Sequence, residues 1–145
     1  QFNIENKDIL DLYAGSGSLG IESLSRGANF VTFIENSDDC ITILKKNLNE
    51  FENNYKITKS SVDKFLQTSL STYDIVFYDP PFKIETDVVK NEVMKIYNIL
   101  NTDGFVVIHR HTASKELDTL KNYKIHKEKN YGQSNILILR KLWKF

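Results

Sequence analysis

The 145-residue chain predicts an α/β fold: a seven-stranded, mostly parallel sheet with helices on both faces and an antiparallel C-terminal hairpin. Three observations predict it. Short apolar runs alternate with stretches of helical periodicity. The first run is followed at once by Gly15, Gly17 and Gly20, which open a helix. The last two runs have no helical stretch between them, only a turn around Tyr131-Gly132.

Each element follows from its residues. Asp8 to Tyr13 (DILDLY) is a buried strand. Ser18 to Arg26 is a helix with Leu19, Ile21 and Leu24 inward, stopped by Gly27. Phe30 to Glu35 is the second strand, and Ser37 caps a helix reaching about Phe51, with Ile41, Leu44 and Leu48 on one face. Tyr55 to Lys59 is a short strand and Val62 to Leu70 a short helix. Tyr73 to Tyr78 (YDIVFY) is a strand ending in Asp79-Pro80-Pro81-Phe82. Asp87 to Leu100 is a helix, and Asp103-Gly104 is a turn opening a strand over Phe105 to His109. Ser114 to Lys121 is a short helix, and Tyr123 to Glu128 pairs with Asn135 to Arg140.

Composition narrows the function. The apolar fraction of 41%, with 12% aromatics, supplies a core for one domain over residues 1–145. A single cysteine, Cys40, excludes a disulfide framework and a cysteine zinc site. Cys40 is expected to be a buried structural thiol away from the strands' carboxyl ends, which speaks against a cysteine nucleophile. No His/Asp/Glu spacing suggests a metal. No apolar run is long enough for a membrane span and no leader opens the chain, so a reducing, cytoplasmic setting is expected. A monomer is the default expectation, since nothing in the sequence reads out the oligomeric state. The chain starts at Gln1 rather than Met, and an N-terminal piece is expected to precede it. Net charge is zero, yet residues 1–80 hold 7 basic and 12 acidic side chains, while residues 81–145 hold 12 basic and 7 acidic. The basic half can face a polyanion; a plain solvated lysine surface accounts for it equally well.

In open α/β sheets ligands lie beyond the carboxyl ends of the strands. After the first strand, Asp11-Leu12-Tyr13-Ala14-Gly15-Ser16-Gly17 leads into a helix, and the glycines let backbone approach a ligand closely. Glu35 closes the second strand, twenty positions after Gly15, where a carboxylate accepts from ribose hydroxyls. Both features suit a nicotinamide dinucleotide or S-adenosylmethionine (SAM). Asp11 discriminates: it would repel a pyrophosphate and attract SAM's sulfonium and ammonium. Val62 packs on an adenine ring and Asp63 accepts from the adenine amine in this reading, although an Asp there also simply suits a helix dipole.

Asp79-Pro80-Pro81-Phe82 carries the sharpest chemistry. Two prolines fix φ and remove two donors, leaving carbonyls to face the cleft. A carboxylate beside a free carbonyl offers two acceptors to a planar amino group. Bonds from both N–H groups to Asp79 and the Pro80 carbonyl pull an exocyclic nitrogen toward tetrahedral geometry, so its lone pair faces a methyl donor. Phe82 offers a face for a base, worth about 1–3 kcal/mol per stacked base. His109 and His111, flanking Arg110, could touch phosphate or base but are expected to be rim residues.

These residues carry a resemblance. DLYAGSGSLGIESLSRGA, FIE, YDIVFYDPPF and YGQSNILIL resemble the RsmD-like family, bacterial SAM-dependent methyltransferases of guanine N2 in 16S ribosomal RNA. The resemblance runs over nearly the whole chain. It implies a Rossmann-like SAM-dependent methyltransferase with SAM as cofactor and 16S rRNA or the small ribosomal subunit as partner. It implies cofactor contacts from the Asp11–Gly17 loop and Glu35, and target-amine contacts from Asp79, Pro80 and Phe82. Two departures stand out: the sequence opens without the N-terminal segment that helps the family bind SAM and RNA, which is expected to precede Gln1, and His-Arg-His ends the fifth strand where an acidic residue is expected. The rivals are an adenine-N6 or glutamine methyltransferase, a nicotinamide oxidoreductase, and a non-catalytic SAM-binding module. DPPF does not separate the amine targets; Asp11 and DPPF count against the oxidoreductase, and the intact DPPF against the non-catalytic module.

Overall fold

A computed structural model describes residues 3–111 and 121–142. The elements run β1 (Asp8–Leu12), α1 (Ser18–Ser25), β2 (Phe30–Glu35), α2 (Asp38–Asn47), β3 (Tyr55–Lys59) and α3 (Val62–Thr68). They continue as β4 (Tyr73–Tyr78), α4 (Thr86–Tyr97), β5 (Leu100–His111), β6 (Tyr123–Tyr131) and β7 (Ser134–Lys141). The strands form one sheet in the order β3-β2-β1-β4-β5-β7-β6. β1 to β5 pair in parallel, while β7 is antiparallel to both β5 and β6. The predicted fold class therefore holds, hairpin included.

The period of two along the strands builds two cores. Leu10, Leu12, Val76, Tyr78, Val106 and Ile108 pack with Val62 and Leu66 of α3 and with Val89, Val93 and Ile96 of α4. Ile9, Val31, Phe33, Ile75 and Phe77 pack on the other side with Leu24 of α1 and Leu44 of α2. Chain order reverses between β1 and β4, so the sheet splits its crossovers there and leaves a crevice at the carboxyl ends.

Local chemistry sets the boundaries. Ser37 accepts from the Cys40 N–H and caps α2, which has Asp38 and Asp39 in its first turn and Lys45 and Lys46 in its last. Ser61 caps α3 by accepting from the Lys64 N–H. Several expected boundaries move. The helix from Ser37 ends at Asn47, α3 ends at Thr68 because Ser69 is already extended, and Leu70 is fully out in solvent. The helix expected from Asp87 starts at Thr86 and stops at Tyr97, because Leu100 already pairs with Tyr73. The turn at Asp103-Gly104 does not precede β5 but lies within it, where the register against β4 shifts between Tyr73 and Ile75. The hairpin strands are longer than expected, Tyr123–Tyr131 and Ser134–Lys141. The helix expected over Ser114–Lys121 lies outside the described residues except for Lys121, which is in a turn. Among the described residues no helix is long and apolar enough to cross a membrane.

Candidate active site

Asp11 sits one residue before the end of β1 and is 2% exposed. Its Oδ2 accepts a 3.1 Å hydrogen bond from the Gly20 N–H. A Cβ on Gly20 would lie 2.3 Å from a ring carbon of the buried Phe33, so only glycine brings α1 close enough for that bond. Burial pushes the Asp11 carboxyl up to about 8, helped by the charges of Asp79 and Glu35 and opposed by the Gly20 bond. The carboxyl is therefore mostly protonated at neutral pH, and a cation bound beside it would favour the ionised form.

The chain then turns sharply. Tyr13 takes φ 56°, a left-handed conformation uncommon for a bulky residue, and such outliers cluster at functional sites. Tyr13 is held there by its hydroxyl, which donates to Glu92 Oε1 at 2.8 Å. The Tyr78 hydroxyl donates to the same oxygen at 2.6 Å. Burial, and then the bond to Glu92, push both phenols well above the usual tyrosine range. The Ala14 N–H donates to the Ile34 carbonyl, and the Gly17 N–H to the Ala14 carbonyl. The Gly15 N–H donates to Glu35 Oε1 at 2.8 Å. Glu35 Oε2 accepts from the Asn36 and Ser37 N–H groups. Glu35 thus braces the glycine loop as well as facing the cleft. The Ser16 carbonyl accepts from Asn47 Nδ2, on the exposed side of the loop.

Tyr13 lines two of the cavities that open at the carboxyl edge. One, about 260 Å³, is lined by Asp11, Ala14, Leu19, Tyr78, Asp79 and His109 among others. The second, about 190 Å³, is lined by Glu35, Ser61, Val62, Asp63 and Glu92 among others. Val62 is also a core residue, 4% exposed. Asp63 is drawn away in part: its Oδ1 accepts from Lys95 and its Oδ2 from Gln67. Leu19 turns toward the first cavity rather than into the core, being 42% exposed.

Beyond β4, Asp79 is half-exposed and Pro80 is buried. The Pro81 carbonyl accepts from the Ile84 N–H, so the expectation of free carbonyls fails at Pro81. Phe82 is 66% exposed, its ring 6.4 Å from that of His109 in an edge-to-face arrangement.

Two expectations are corrected, for His109 and Cys40. His109 is not a rim residue: it lines the first cavity, and its Nδ1 lies 3.1 Å from Asp79 Oδ1. Arg110, the next residue along β5, is turned away from solvent. It is 4% exposed, alternation turns it to the α4 side of β5, and its Nε meets no acceptor among the described residues. Cys40 is half-buried in the first turn of α2, just beyond the carboxyl end of β2, instead of in the core. Glu92 was missed, since a glutamate inside an amphipathic helix gives no signal of the two phenols it will meet.

The crevice joins a buried carboxyl, a glycine turn, a strand-end glutamate and a DPPF loop across one switch point. Fold and crevice define a Rossmann-like, SAM-dependent methyltransferase. The chain belongs to the RsmD-like family, described as conserved hypothetical protein 95, which matches residues 1–140. It is 34% identical to an uncharacterized methylase of Rickettsia prowazekii, over 94% of this chain and 77% of that one. It is 35% identical to ribosomal RNA small subunit methyltransferase D of Haemophilus influenzae, over 89% of this chain and 69% of that one. Among solved structures, the Escherichia coli protein YhhF superposes with a TM-score of 0.86 at 28% identity, covering 97% of this chain and 78% of that one.

Proposed function

We propose that this chain methylates the exocyclic N2 amine of a guanine in small-subunit (16S) ribosomal RNA. One observation carries the reading: the Asp79-Pro80-Pro81-Phe82 loop and the buried Asp11 line or border one cleft, an exposed carboxylate that can take an amine beside a buried carboxyl that a cation would ionise. The relatives named as small-subunit rRNA methyltransferases support the RNA substrate.

The residues fit SAM. Asp11 would hold its cationic end, with Tyr13, Ala14, Gly15, Ser16 and Gly17 forming the turn around it. Glu35 would take the ribose hydroxyls, Val62 would pack on the adenine, and Asp63 would border it. When bound, SAM supplies an electrophilic methyl on a cationic sulfur. The protein's part is placement. Asp79 and the Pro80 carbonyl accept from the amine's two N–H groups, and Asp79 or water receives the proton the nitrogen sheds. Phe82, exposed at the rim, offers the flat face for the base. Positioning of this kind recovers roughly 7–11 kcal/mol of barrier when reactants are well oriented.

The test uses methyl-labelled SAM and small ribosomal subunits lacking their native guanine-N2 methylation. Label should appear in N2-methylguanosine, and Asp79→Ala should lower the rate about 100-fold or more. Binding of S-adenosylhomocysteine should survive Asp79→Ala and fail in Asp11→Ala. Label in N6-methyladenosine instead would sink the guanine assignment.

A further inference from the structure

We propose that His109 is the positioning residue that aims the Asp79 carboxylate at the target amine. The proposal rests on the reading above and adds to it a residue that lies outside the DPPF motif. His109 is thirty positions from Asp79 in sequence, on the neighbouring strand, yet its Nδ1 is 3.1 Å from Asp79 Oδ1. An ionised carboxylate only accepts, so the imidazole nitrogen facing it carries the proton and donates. That bond ties down Oδ1 and restrains the carboxylate plane, leaving Oδ2 for the amine.

The restraint matters because Asp79 is in water. Its side chain is 46% exposed and that of His109 33% exposed. An untethered carboxylate there would sample orientations that waste the amine's second N–H. The imidazole is itself held, with the Phe82 ring edge-to-face against it and the cavity wall beside it. Acceptor, donor and stacking face thus come from the end of β4, the end of β5 and the loop between β4 and α4. An incidental pair of half-exposed groups would contribute little, and breaking it would leave turnover unchanged.

Two measurements decide. Ring nitrogen NMR of the whole chain at about pH 9, where a free imidazole is neutral, reads the tautomer of His109. The proton should sit on Nδ1 and move to Nε2 in Asp79→Ala; a wild type protonated on Nε2 overturns the proposal whatever the activity. On small ribosomal subunits, His109→Leu should lower kcat about 10- to 100-fold with the KM for SAM within about twofold. His109→Asn, which keeps an N–H near Nδ1, should recover most of that loss. In an Asp79→Ala background His109→Leu should have no further effect, since the two act as a unit. A His109→Leu chain as fast as wild type overturns the proposal alone. A wild type that methylates no subunit RNA overturns the reading beneath it.

Discussion

Asp11 shows how one residue couples ligand to proton. In the ligand-free chain burial holds its carboxyl at about 8, so at neutral pH it is mostly protonated. A bound sulfonium or ammonium favours the carboxylate, so binding SAM at pH 7 expels a proton. Affinity for SAM should therefore rise as pH climbs from about 6 to 8, by up to about tenfold per unit, and level off above. Asp11→Asn should bind SAM weakly with a flat profile; calorimetry across that range would check both, and a flat wild-type profile would refute the coupling. Glu92 plays the opposite part, as an acceptor for two phenols rather than for a ligand. Losing it would leave Tyr13 free to leave its left-handed turn.

At the scale of the element, α1 is seated by Gly20. Its missing side chain lets the helix lie on Phe33 and lets its N–H reach Asp11. Gly20→Ala should cost about 1–3 kcal/mol of overpacking in urea unfolding, with a parallel loss of SAM affinity as α1 shifts outward. Stability lost without any change in affinity would show that the helix and the carboxyl are independent. Elements also explain what the sequence could reveal. The glycine turn, the Ser37 cap and the DPPF loop are local, so their residue order announces them. The pairing of His109 with Asp79 and of Glu92 with Tyr13 joins residues 30 and 79 positions apart, and no local pattern encodes such meetings. The start of β5 differs from the expected one for a related reason. Asp103-Gly104 reads as a turn, but pairing of Leu100 with β4 extends the strand past it through a register shift.

The whole molecule carries the cost of its cleft. Asp11 has a folded-state carboxyl raised from 3.8 to about 8, so the fold binds a proton there that the unfolded chain has released. The stability this proton confers is complete below pH 3.8 and is lost as pH rises through about 8. The ligand-free chain should therefore lose stability between pH 5 and 9 more steeply than Asp11→Asn, which keeps an acceptor for the Gly20 N–H. Parallel unfolding curves for the two proteins across that range would contradict this. The sheet's ends set a further property. β3 and β6 are its two outer strands, and each shows lysines: Lys56 and Lys59 on one, Lys124 and Lys129 on the other. Such charges discourage a second chain from pairing with an open strand. Replacing these four lysines with glutamine should turn a clear concentrated solution into one that scatters light and binds amyloid dyes, while leaving the cleft residues chemically untouched.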